Sequence, residues 1–405
     1  MSRFTLPRDI YHGKGAMEAL KSFKGKKAIV VVGGGSMKRF GFLQKAVEYL
    51  EEAGMEVKLL EGIEPDPSVE TVMNGAKIME EFQPDWIVAM GGGSPIDAAK
   101  AMWVKYEYPE TTFAQMCIPF GIPALRQKAH FCAISSTSGT GTEVTSNAVI
   151  TDNAAGIKYP MADYEITPDV AIVDPELAET MPAKLVAQTG MDALTHAIEC
   201  YVSLAATDFT DANATHAIKL INKNLIDSYN GNMDARAVMH NAQCLAGMAF
   251  SNGFLGITHS LAHKTGAAFA DLGAHIPHGT ANAMYLPKVI AYNAKSEYAK
   301  ARYAEIADIM GLTGNTADEK VAALIAHIRE MNVALNIPSC IKNLGPNALF
   351  AEEGFINETV FNERLEEVAG NALMDGCTYA NPRQTNAEDL AKLLKACYND
   401  EEVDF

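Results

Sequence analysis

The stretch DWIVAMGGGSPIDAAKAMW, residues 85–103, decides the fold of the first half of the chain. Its first six residues predict a buried strand, and the apolar spacing after the glycines predicts a helix. The same succession occurs earlier, with predicted strands at 28–32 (AIVVV) and 55–62 (MEVKLLEG) and a predicted helix from Val69 to Phe82. Alternating strands and helices predict a parallel sheet of the α/β class.

Three glycines, Gly91, Gly92 and Gly93, separate the predicted strand from the predicted helix. Glycines let backbone N–H groups approach a ligand closely, and we expect Ser94 to cap the helix with Pro95 in its first turn. A helix that begins beyond the end of a parallel strand is typical of a pyrophosphate site. Taken alone, the stretch is equally compatible with a plain glycine-rich turn, because the GxGxxG pattern is absent.

A second loop rich in small polar residues lies within HFCAISSTSGTGTEVTSNAVIT, residues 130–151. A predicted strand enters this loop and another leaves it, and a last predicted strand follows at Val170–Val173. The amides and hydroxyls of such a loop can bind phosphate and ribose, although a flexible surface loop has the same composition. Two such loops after neighbouring strands favour a dinucleotide site.

From about Pro182 the apolar residues recur with helical spacing, as in MPAKLVAQTGMDALTHAIECYVS. This periodicity predicts an all-helical second domain. We therefore expect an α/β nucleotide-binding domain at 1–182 and an all-helical domain at 183–405.

The helical half holds the most concentrated group of metal-binding side chains. Four of the ten histidines lie in THSLAHKTGAAFADLGAHIPHGTANAM, residues 258–284. Pairs spaced four apart share one face of a helix, and a histidine after a proline can be aimed at that face from a turn. The pairs and the turn histidine are, in order, Asp192 with His196, His259 with His263, and His278. Together they supply the ligands of a divalent metal, of which Fe²⁺, Zn²⁺, Mn²⁺ and Co²⁺ all suit the ligand types.

Charge and cysteine content restrict the partners and the compartment. The net charge of −17 argues against a nucleic-acid or anionic-membrane surface, and no uninterrupted apolar run is long enough to span a membrane. The seven cysteines form no C-x-x-C pair, which is typical of a reducing compartment. We expect a cytoplasmic protein.

Several motifs, taken in order along the chain, resemble those of the iron-containing (group III) alcohol dehydrogenases. They are GGGSPIDAAK, STSGTGTEVT, KYPMADYEITPDVAIVDPEL, TGMDALTHAIE, THSLAHKTGA and PHGTANAMYLP. Residues 86–200 are most similar to the alcohol dehydrogenase half of bifunctional aldehyde–alcohol dehydrogenases. The resemblance implies a Rossmann-like N-terminal domain at 1–182 and an all-helical, metal-binding C-terminal domain at 183–405. This is a two-domain architecture like that of dehydroquinate synthase, commonly found as a homodimer or a higher homo-oligomer.

The resemblance also implies roles for individual residues. The metal positions fall on Asp192, His196, His259 and His278, and the catalytic position near the nicotinamide falls on His263. The implied cofactor-binding residues are Gly34, Gly35, Ser36, Lys38, Asp66, Gly92, Gly93, Ser94, Asp97, Ser136, Thr137, Thr140, Thr142 and Lys158.

The loop GGGSMKRFG, residues 33–41, bears on the choice of nucleotide. Relatives that prefer NAD tend to carry an aspartate here, whose charge would repel a 2′-phosphate. This chain has glycines followed by Ser36, Lys38 and Arg39, which favours NADP(H) over NAD(H). A glycine turn with exposed basic residues is the alternative interpretation.

The chain departs from the family's spacing between the last two metal-binding histidines. Additional residues around Ala270–Ala274 (ADLGA) separate His259 from His278. They make His275 an alternative ligand, and we retain His278 because it lies in the PHGTAN motif.

The predicted function is an iron-dependent alcohol dehydrogenase or aldehyde reductase, with zinc as the alternative metal. It would interconvert a small primary alcohol and its aldehyde with NAD(P)(H). The alternatives are a glycerol- or diol-type polyol dehydrogenase, a lyase resembling dehydroquinate synthase, and a non-catalytic nucleotide-binding scaffold. Iron rests on the resemblance, because the ligand types do not distinguish it from zinc.

Overall fold

The structure is a computed structural model that describes residues 3–153, 157–269, 276–344 and 356–405. The insertion at 270–274 and the alternative ligand His275 lie outside these ranges. The chain divides into two compact units, Met1–Met181 and Pro182–Phe405. Among the described helices, none is both long enough and apolar enough to cross a membrane.

The first unit contains eight strands among its described residues. They are β1 (Asp9–His12), β2 (Lys27–Val32), β3 (Glu56–Leu60), β4 (Trp86–Gly91), β5 (His130–Ser135), β6 (Asn147–Asp152), β7 (Ile157–Ala162) and β8 (Val170–Val173). Six of them form one sheet in the order β1-β8-β5-β4-β2-β3, and every pairing in it is parallel. The predicted α/β class is confirmed.

Helices cover both faces of this sheet. They are α1 (Ser36–Arg39), α2 (Phe42–Glu52), α3 (Val69–Phe82), α4 (Gly93–Glu107), α5 (Phe113–Met116) and α6 (Pro175–Ala178). The run AIVVV explains why two cores form. Ile29 and Val31 belong to one buried cluster, whereas Ala28, Val30 and Val32 belong to the other. Alternate residues of β2 thus pack on opposite faces of the sheet, which is why a strand that is buried on both faces consists of consecutive apolar residues.

Strand order places the predicted glycine loops side by side. β2 lies between β3 and β4, so the direction of chain winding reverses there. In open parallel sheets, ligands bind beyond the carboxyl ends of the strands that flank such a reversal. Gly33–Gly35 follow β2, and Gly91 ends β4.

Two local features differ from the sequence-based expectation. The N-cap of α4 is Gly92, not Ser94, so the helix begins two residues earlier than predicted. Gly92 occupies the N-cap position without a side chain to cap the helix. Pro95 is tolerated in the first turn because a backbone N–H at that position would have no partner within the helix. Strand β7 was not predicted. It contains Pro160 and pairs only with β6, in a separate antiparallel hairpin, which is the edge setting that a proline allows.

The second unit is helical throughout its described residues, as predicted. Its helices are α7 (Ala183–Val202), α8 (Asp208–Tyr229), α9 (Met233–Gly253), α10 (Ile257–Ala268), α11 (His278–Asn293), α12 (Glu297–Ile309), α13 (Ala317–Ala334), α14 (Glu358–Leu373) and α15 (Ala387–Asn399). His278 is the first residue of α11, with Pro277 as its N-cap, so it begins a helix where a turn was expected.

Candidate metal centre and cofactor loops

Three helices of the second unit bring the predicted metal ligands together. Asp192 and His196 lie one turn apart on α7, His259 lies in the first turn of α10, and His278 begins α11. The Nε2 atoms of His278 and His259 lie 3.4 Å and 3.7 Å from Asp192 Oδ1. Asp192, His196 and His259 each offer one ligand atom, and these atoms all lie within 4.8 Å of one another. Tetrahedral ligands at about 2.1 Å from a cation are about 3.4 Å apart, so the group fits one divalent ion.

The electrostatics of the group favour a cation. Burial opposes the ionisation of Asp192, but the facing imidazoles of His196 and His278 hold the pKa of this carboxyl well below its usual range. Burial likewise opposes a charge on His259, yet the neighbouring carboxylates of Asp192 and Glu199 raise its pKa to about 9. Burial lowers the pKa of His278 well below its ordinary value. Metal ions bind ionised carboxylates and replace imidazole protons.

A buried amide tests whether the group suits a positive occupant. The Nδ2 atom of Asn282 lies 2.7 Å from Asp192 Oδ1, 3.2 Å from His259 Nε2 and 3.1 Å from His278 Nε2. Three of the four ligand residues thus surround one amide nitrogen. Their facing oxygen and nitrogen atoms converge on a common region, which is the condition for coordinating a single ion.

His263 lies next to this group. Its ring stacks on that of His278 with centroids 5.2 Å apart, and its Nδ1 lies 3.3 Å from Asp375 Oδ2. The Asp375 side chain is only 2 % exposed and also pairs with Lys264 at 3.0 Å. Burial opposes its charge, but His263 and Lys264 hold the pKa of Asp375 well below the usual value. His263, Asp375 and Cys377 also gather possible ligand atoms. Because the Lys264 ammonium already balances the carboxylate, we assign this cluster as an ion-pair network.

The first unit brings two of its predicted cofactor loops into contact. Ser136 N–H donates to the Gly91 carbonyl at 2.8 Å. A Cβ atom on Gly92 would lie 3.2 Å from the Thr137 methyl group, and one on Gly93 would lie 3.2 Å from that of Thr140. A side chain at 92 or 93 would therefore require these methyl groups to move by a few tenths of an ångström.

Asp97 and Thr142 bond to each other. The Thr142 hydroxyl donates to Asp97 Oδ1 at 2.7 Å, and Val149 N–H donates to Oδ2 at 3.0 Å. One turn further along α4, the fully buried Lys100 donates to the carbonyls of Thr142, Thr145 and Asn147 at 2.8–2.9 Å. These contacts join helix α4, which follows the glycine loop after β4, to residues 142–149, in and after the loop that follows β5.

The remaining cofactor candidates fall into two groups. Gly34, Gly35 and Ser36 are exposed after β2, and Lys38 Nζ lies 3.0 Å from Glu61 Oε2. Elsewhere, Lys158 Nζ pairs with Asp66 Oδ1 at 2.6 Å, and Asp66 N–H donates to the Ser94 hydroxyl at 3.3 Å.

Three buried residues that the sequence analysis missed contact the candidate ligands or His263. Glu199 and Asn282 had a detectable signal, since Glu199 follows His196 by three residues and Asn282 follows His278 by four, which is one helical turn in each case. Asp375 had none, because it lies 112 residues from its partner His263.

Comparison with known proteins identifies the family. The family model for iron-containing alcohol dehydrogenase matches residues 7–175, and the C-terminal model of the Fe-containing alcohol dehydrogenase family matches residues 186–398. The chain belongs to the iron-containing alcohol dehydrogenase family. The resemblance inferred from the motifs, and with it the assignment as an oxidoreductase, is confirmed.

Individual relatives match over nearly the whole chain. An NADPH-dependent butanol dehydrogenase from Clostridium saccharobutylicum is 58 % identical over 405 residues, which is 100 % of both chains. The bifunctional aldehyde-alcohol dehydrogenase AdhE of Escherichia coli K12 is 40 % identical over 97 % of this chain and 46 % of its own length. This chain therefore corresponds to about half of that bifunctional protein.

Solved structures share the fold. An iron-containing alcohol dehydrogenase from Thermococcus thioreducens superposes with a TM-score of 0.87 at 38 % identity, over 98 % of this chain and 100 % of that one. A 1,3-propanediol oxidoreductase gives a TM-score of 0.87 at 34 % identity, with the same coverage. These matches confirm the predicted two-domain fold class.

Proposed function

We propose that the chain interconverts a small primary alcohol and its aldehyde, with iron at Asp192, His196, His259 and His278 and NADP(H) as the hydride carrier. The observation that carries the proposal is the convergence of one carboxylate and three imidazoles from helices α7, α10 and α11. Family membership supports iron over zinc at this group.

We assign different roles at this site to Asp192 and His263. When bound, iron supplies Lewis acidity toward the substrate oxygen and the nicotinamide carries the hydride. Asp192 contributes the negative charge of the ligand set, and its burial keeps water from screening that charge. His263, with Nδ1 at Asp375 and about a fifth of its side chain exposed, is suited to pass the alcohol proton to solvent.

The loop after β2 supports NADP(H). It offers exposed backbone at Gly34 and Gly35, the Ser36 hydroxyl and the Lys38 ammonium, with no acidic side chain among residues 33–41. A 2′-phosphate gains from donors and loses from a neighbouring carboxylate. A relative that is 58 % identical is named as NADPH-dependent, which agrees with this choice.

The other nucleotide contacts are proposed at the loops that follow β4 and β5. Gly92, Gly93 and Ser94 would receive the pyrophosphate, and Ser136, Thr137 and Thr140 would line the same region. Asp97 and Thr142 would act by joining the two loops, and Asp66 with Lys158 would border them, as their mutual contacts suggest.

Relatives named for butanol and for 1,3-propanediol support a short, primary alcohol as substrate. The test is a panel of straight-chain alcohols, diols and glycerol with the matching aldehydes, assayed anaerobically with NADPH and NADH after iron or zinc loading. We expect the highest kcat/KM for an unbranched aldehyde with NADPH and iron. Preference for glycerol or a diol would favour a polyol dehydrogenase, and activity with NADH alone would refute the nucleotide assignment.

The metal assignment has a separate test in His278→Ala. We expect this variant to lose both bound iron, measured by elemental analysis, and alcohol oxidation. Wild-type iron content and activity in the variant would refute His278 as a ligand.

We also propose a cytoplasmic homodimer. The seven free cysteines agree with a reducing compartment, and the dimer rests on the family resemblance. Light scattering after size-exclusion chromatography and fractionation of producing cells test these two statements, and a monomer or a secreted protein would contradict them.

A further inference from the structure

We infer that Glu199 is a positioning residue of the metal centre, which holds His259 so that Nε2 faces Asp192 and a bound ion. The inference rests on the metal site proposed above. Glu199 lies on the same face of α7 as the candidate ligands, seven residues after Asp192 and three after His196.

The Glu199 carboxylate contacts His259 twice. Oε2 lies 2.7 Å from Nδ1 of the His259 ring and 3.3 Å from its backbone nitrogen. Both side chains are almost completely buried, at 3 % and 1 % exposed. A hydrogen bond to a charged partner is strong in such surroundings, because water neither screens nor replaces it.

The carboxylate selects which ring nitrogen is left for the metal. An ionised carboxylate only accepts hydrogen bonds, so this contact requires a proton on Nδ1. In the neutral ring the lone pair is then on Nε2, the atom that lies 3.7 Å from Asp192 Oδ1. Metal-binding histidines are typically fixed in this way, by a carboxylate on the nitrogen that does not bind the metal.

Glu199 also fixes the helix that carries His259. The first four N–H groups of a helix lack partners within it, and at α10 side chains from outside the helix supply them. Glu199 accepts from Gly256 and Thr258 at 3.1 Å and 2.7 Å, and Asn381 Oδ1 accepts from Ile257 at 3.3 Å.

The fit around the helix start is close. A Cβ atom on Gly256 would lie 2.9 Å from Glu199 Oε1 and 2.9 Å from Asn381 Oδ1. The backbone can approach both side chains only because position 256 is glycine. Glu199 thus sets the place of the α10 backbone at His259 and the orientation of the His259 ring together.

Asn381 provides a matched control, because it caps the same helix end without a contact to the His259 ring. The experiment compares full-length wild type, Glu199→Gln and Asn381→Ala. Metal-free protein is titrated with Co²⁺ against a chromophoric chelator, and the visible Co²⁺ spectrum and the thermal midpoint of the metal-free protein are recorded.

We expect both variants to unfold at lower temperature. Glu199→Gln alone should bind Co²⁺ about 10–100-fold more weakly, with an altered spectrum, whereas Asn381→Ala should stay within about threefold of wild type. Equal losses of affinity in the two variants, or wild-type affinity in Glu199→Gln, would overturn the inference. Glu199→Asp serves if Glu199→Gln does not fold. Aspartate keeps the negative charge but, being shorter, withdraws it from Nδ1 of His259. Unchanged Co²⁺ affinity in Glu199→Asp would equally contradict the positioning role of Glu199.

These results separate the inference from the proposed function. A wild-type protein that binds no Co²⁺ would refute the metal centre itself. Wild-type binding together with unchanged binding in the Glu199 variants would remove only the positioning role.

Discussion

The Asp97 carboxylate accepts a hydrogen bond from the Thr142 hydroxyl at 2.7 Å. This contact joins helix α4, which follows the glycine loop after β4, to the loop after β5. Its other oxygen accepts a hydrogen bond from the Val149 N–H at 3.0 Å, within the hairpin strand β6. Both oxygens are thus engaged by the protein, so we propose that Asp97 shapes the cofactor loops and does not itself bind the nucleotide.

Asp97→Ala should therefore weaken nucleotide binding more than it slows catalysis. Loss of hydrogen bonds to a charged group costs about 1.5–3 kcal/mol, and we expect the KM for NADPH to rise about tenfold with kcat changed less than twofold. The control is Asp85→Ala. Asp85 likewise accepts two hydrogen bonds, from the backbone N–H groups of Lys26 and Lys27, but it precedes β4, at the end of that strand opposite the glycine loop. An equal rise in KM for both variants would contradict a specific role for Asp97.

Lys100 makes a prediction about stability and pH. Burial lowers its pKa from 10.5 to about 8, although the charges of Asp97 and Glu143 raise it in part. A lowered pKa means that, between about pH 8 and 10.5, the folded chain has released a proton that the unfolded chain keeps. The free energy of unfolding therefore rises with pH in this window.

Lys100→Met removes the titrating ammonium, and with it this pH dependence, together with the hydrogen bonds that Lys100 donates to the loop after β5. Denaturant unfolding of the two proteins at pH 7.5 and pH 9.5 measures the effect. We expect the wild type to have the larger free energy of unfolding at both pH values, and the difference from Lys100→Met to be larger at pH 9.5 than at pH 7.5. A difference that is independent of pH would show that Lys100 does not titrate in this range.

Lys38 should set the preference between the two nucleotides. Its ammonium lies 3.0 Å from Glu61 at an exposed position, where such pairs contribute little to stability. Lys38→Ala should lower kcat/KM for NADPH about tenfold, the effect of losing about 1.4 kcal/mol, and leave NADH nearly unchanged. Glu61→Gln should act in the opposite direction, since it frees Lys38 from its partner.

The control for this pair is Lys45→Ala. Lys45 also forms an ion pair at the surface, with Glu176, and lies outside the loop at 33–41. If the ratio of kcat/KM values for the two nucleotides shifts as much in Lys45→Ala as in Lys38→Ala, the basic loop does not select the 2′-phosphate.

The sequence predicted most of this architecture because local patterns carry it. The helix Val69–Phe82 and the strand Val170–Val173 have the predicted bounds, since both are short apolar patterns with clear ends. The start of α4 was misplaced because a glycine can begin a helix as readily as a serine can cap it. The carboxylate of Asp375 was not predictable, because its contact with His263 depends on how distant helices pack.

The ligand group shows the same division. The sequence pattern supplies two pairs spaced four apart and the histidine after Pro277 as possible ligands, and the family resemblance separates His263 from the four metal positions. Helical spacing places Asn282 one turn after His278, but the contacts of its amide with Asp192 and His259 form only when α7, α10 and α11 pack together. Residues that hold a site in shape are thus harder to predict than the residues that form it, since their partners come from the tertiary fold.

Gly279 gives the sharpest test of how α11 meets α7. A Cβ atom at this position would lie 2.2 Å from the backbone oxygen of Gln188, one turn before Asp192. A backbone atom cannot rotate away, so Gly279→Ala should push the first turn of α11, and His278 with it, away from Asp192. Overpacking of this kind costs about 1–3 kcal/mol.

We expect Gly279→Ala to lower the free energy of unfolding by that amount and to weaken Co²⁺ binding at least tenfold. Gly370→Ala is the matched control, because Gly370 lies within α14 and a Cβ atom there meets nothing within 4 Å. Alanine is favoured over glycine inside a helix by about 1 kcal/mol, so this variant should be as stable as wild type or more stable and should bind the metal normally. If Gly279→Ala also bound Co²⁺ normally, the close approach of α11 to α7 would not be what holds His278 in the ligand group.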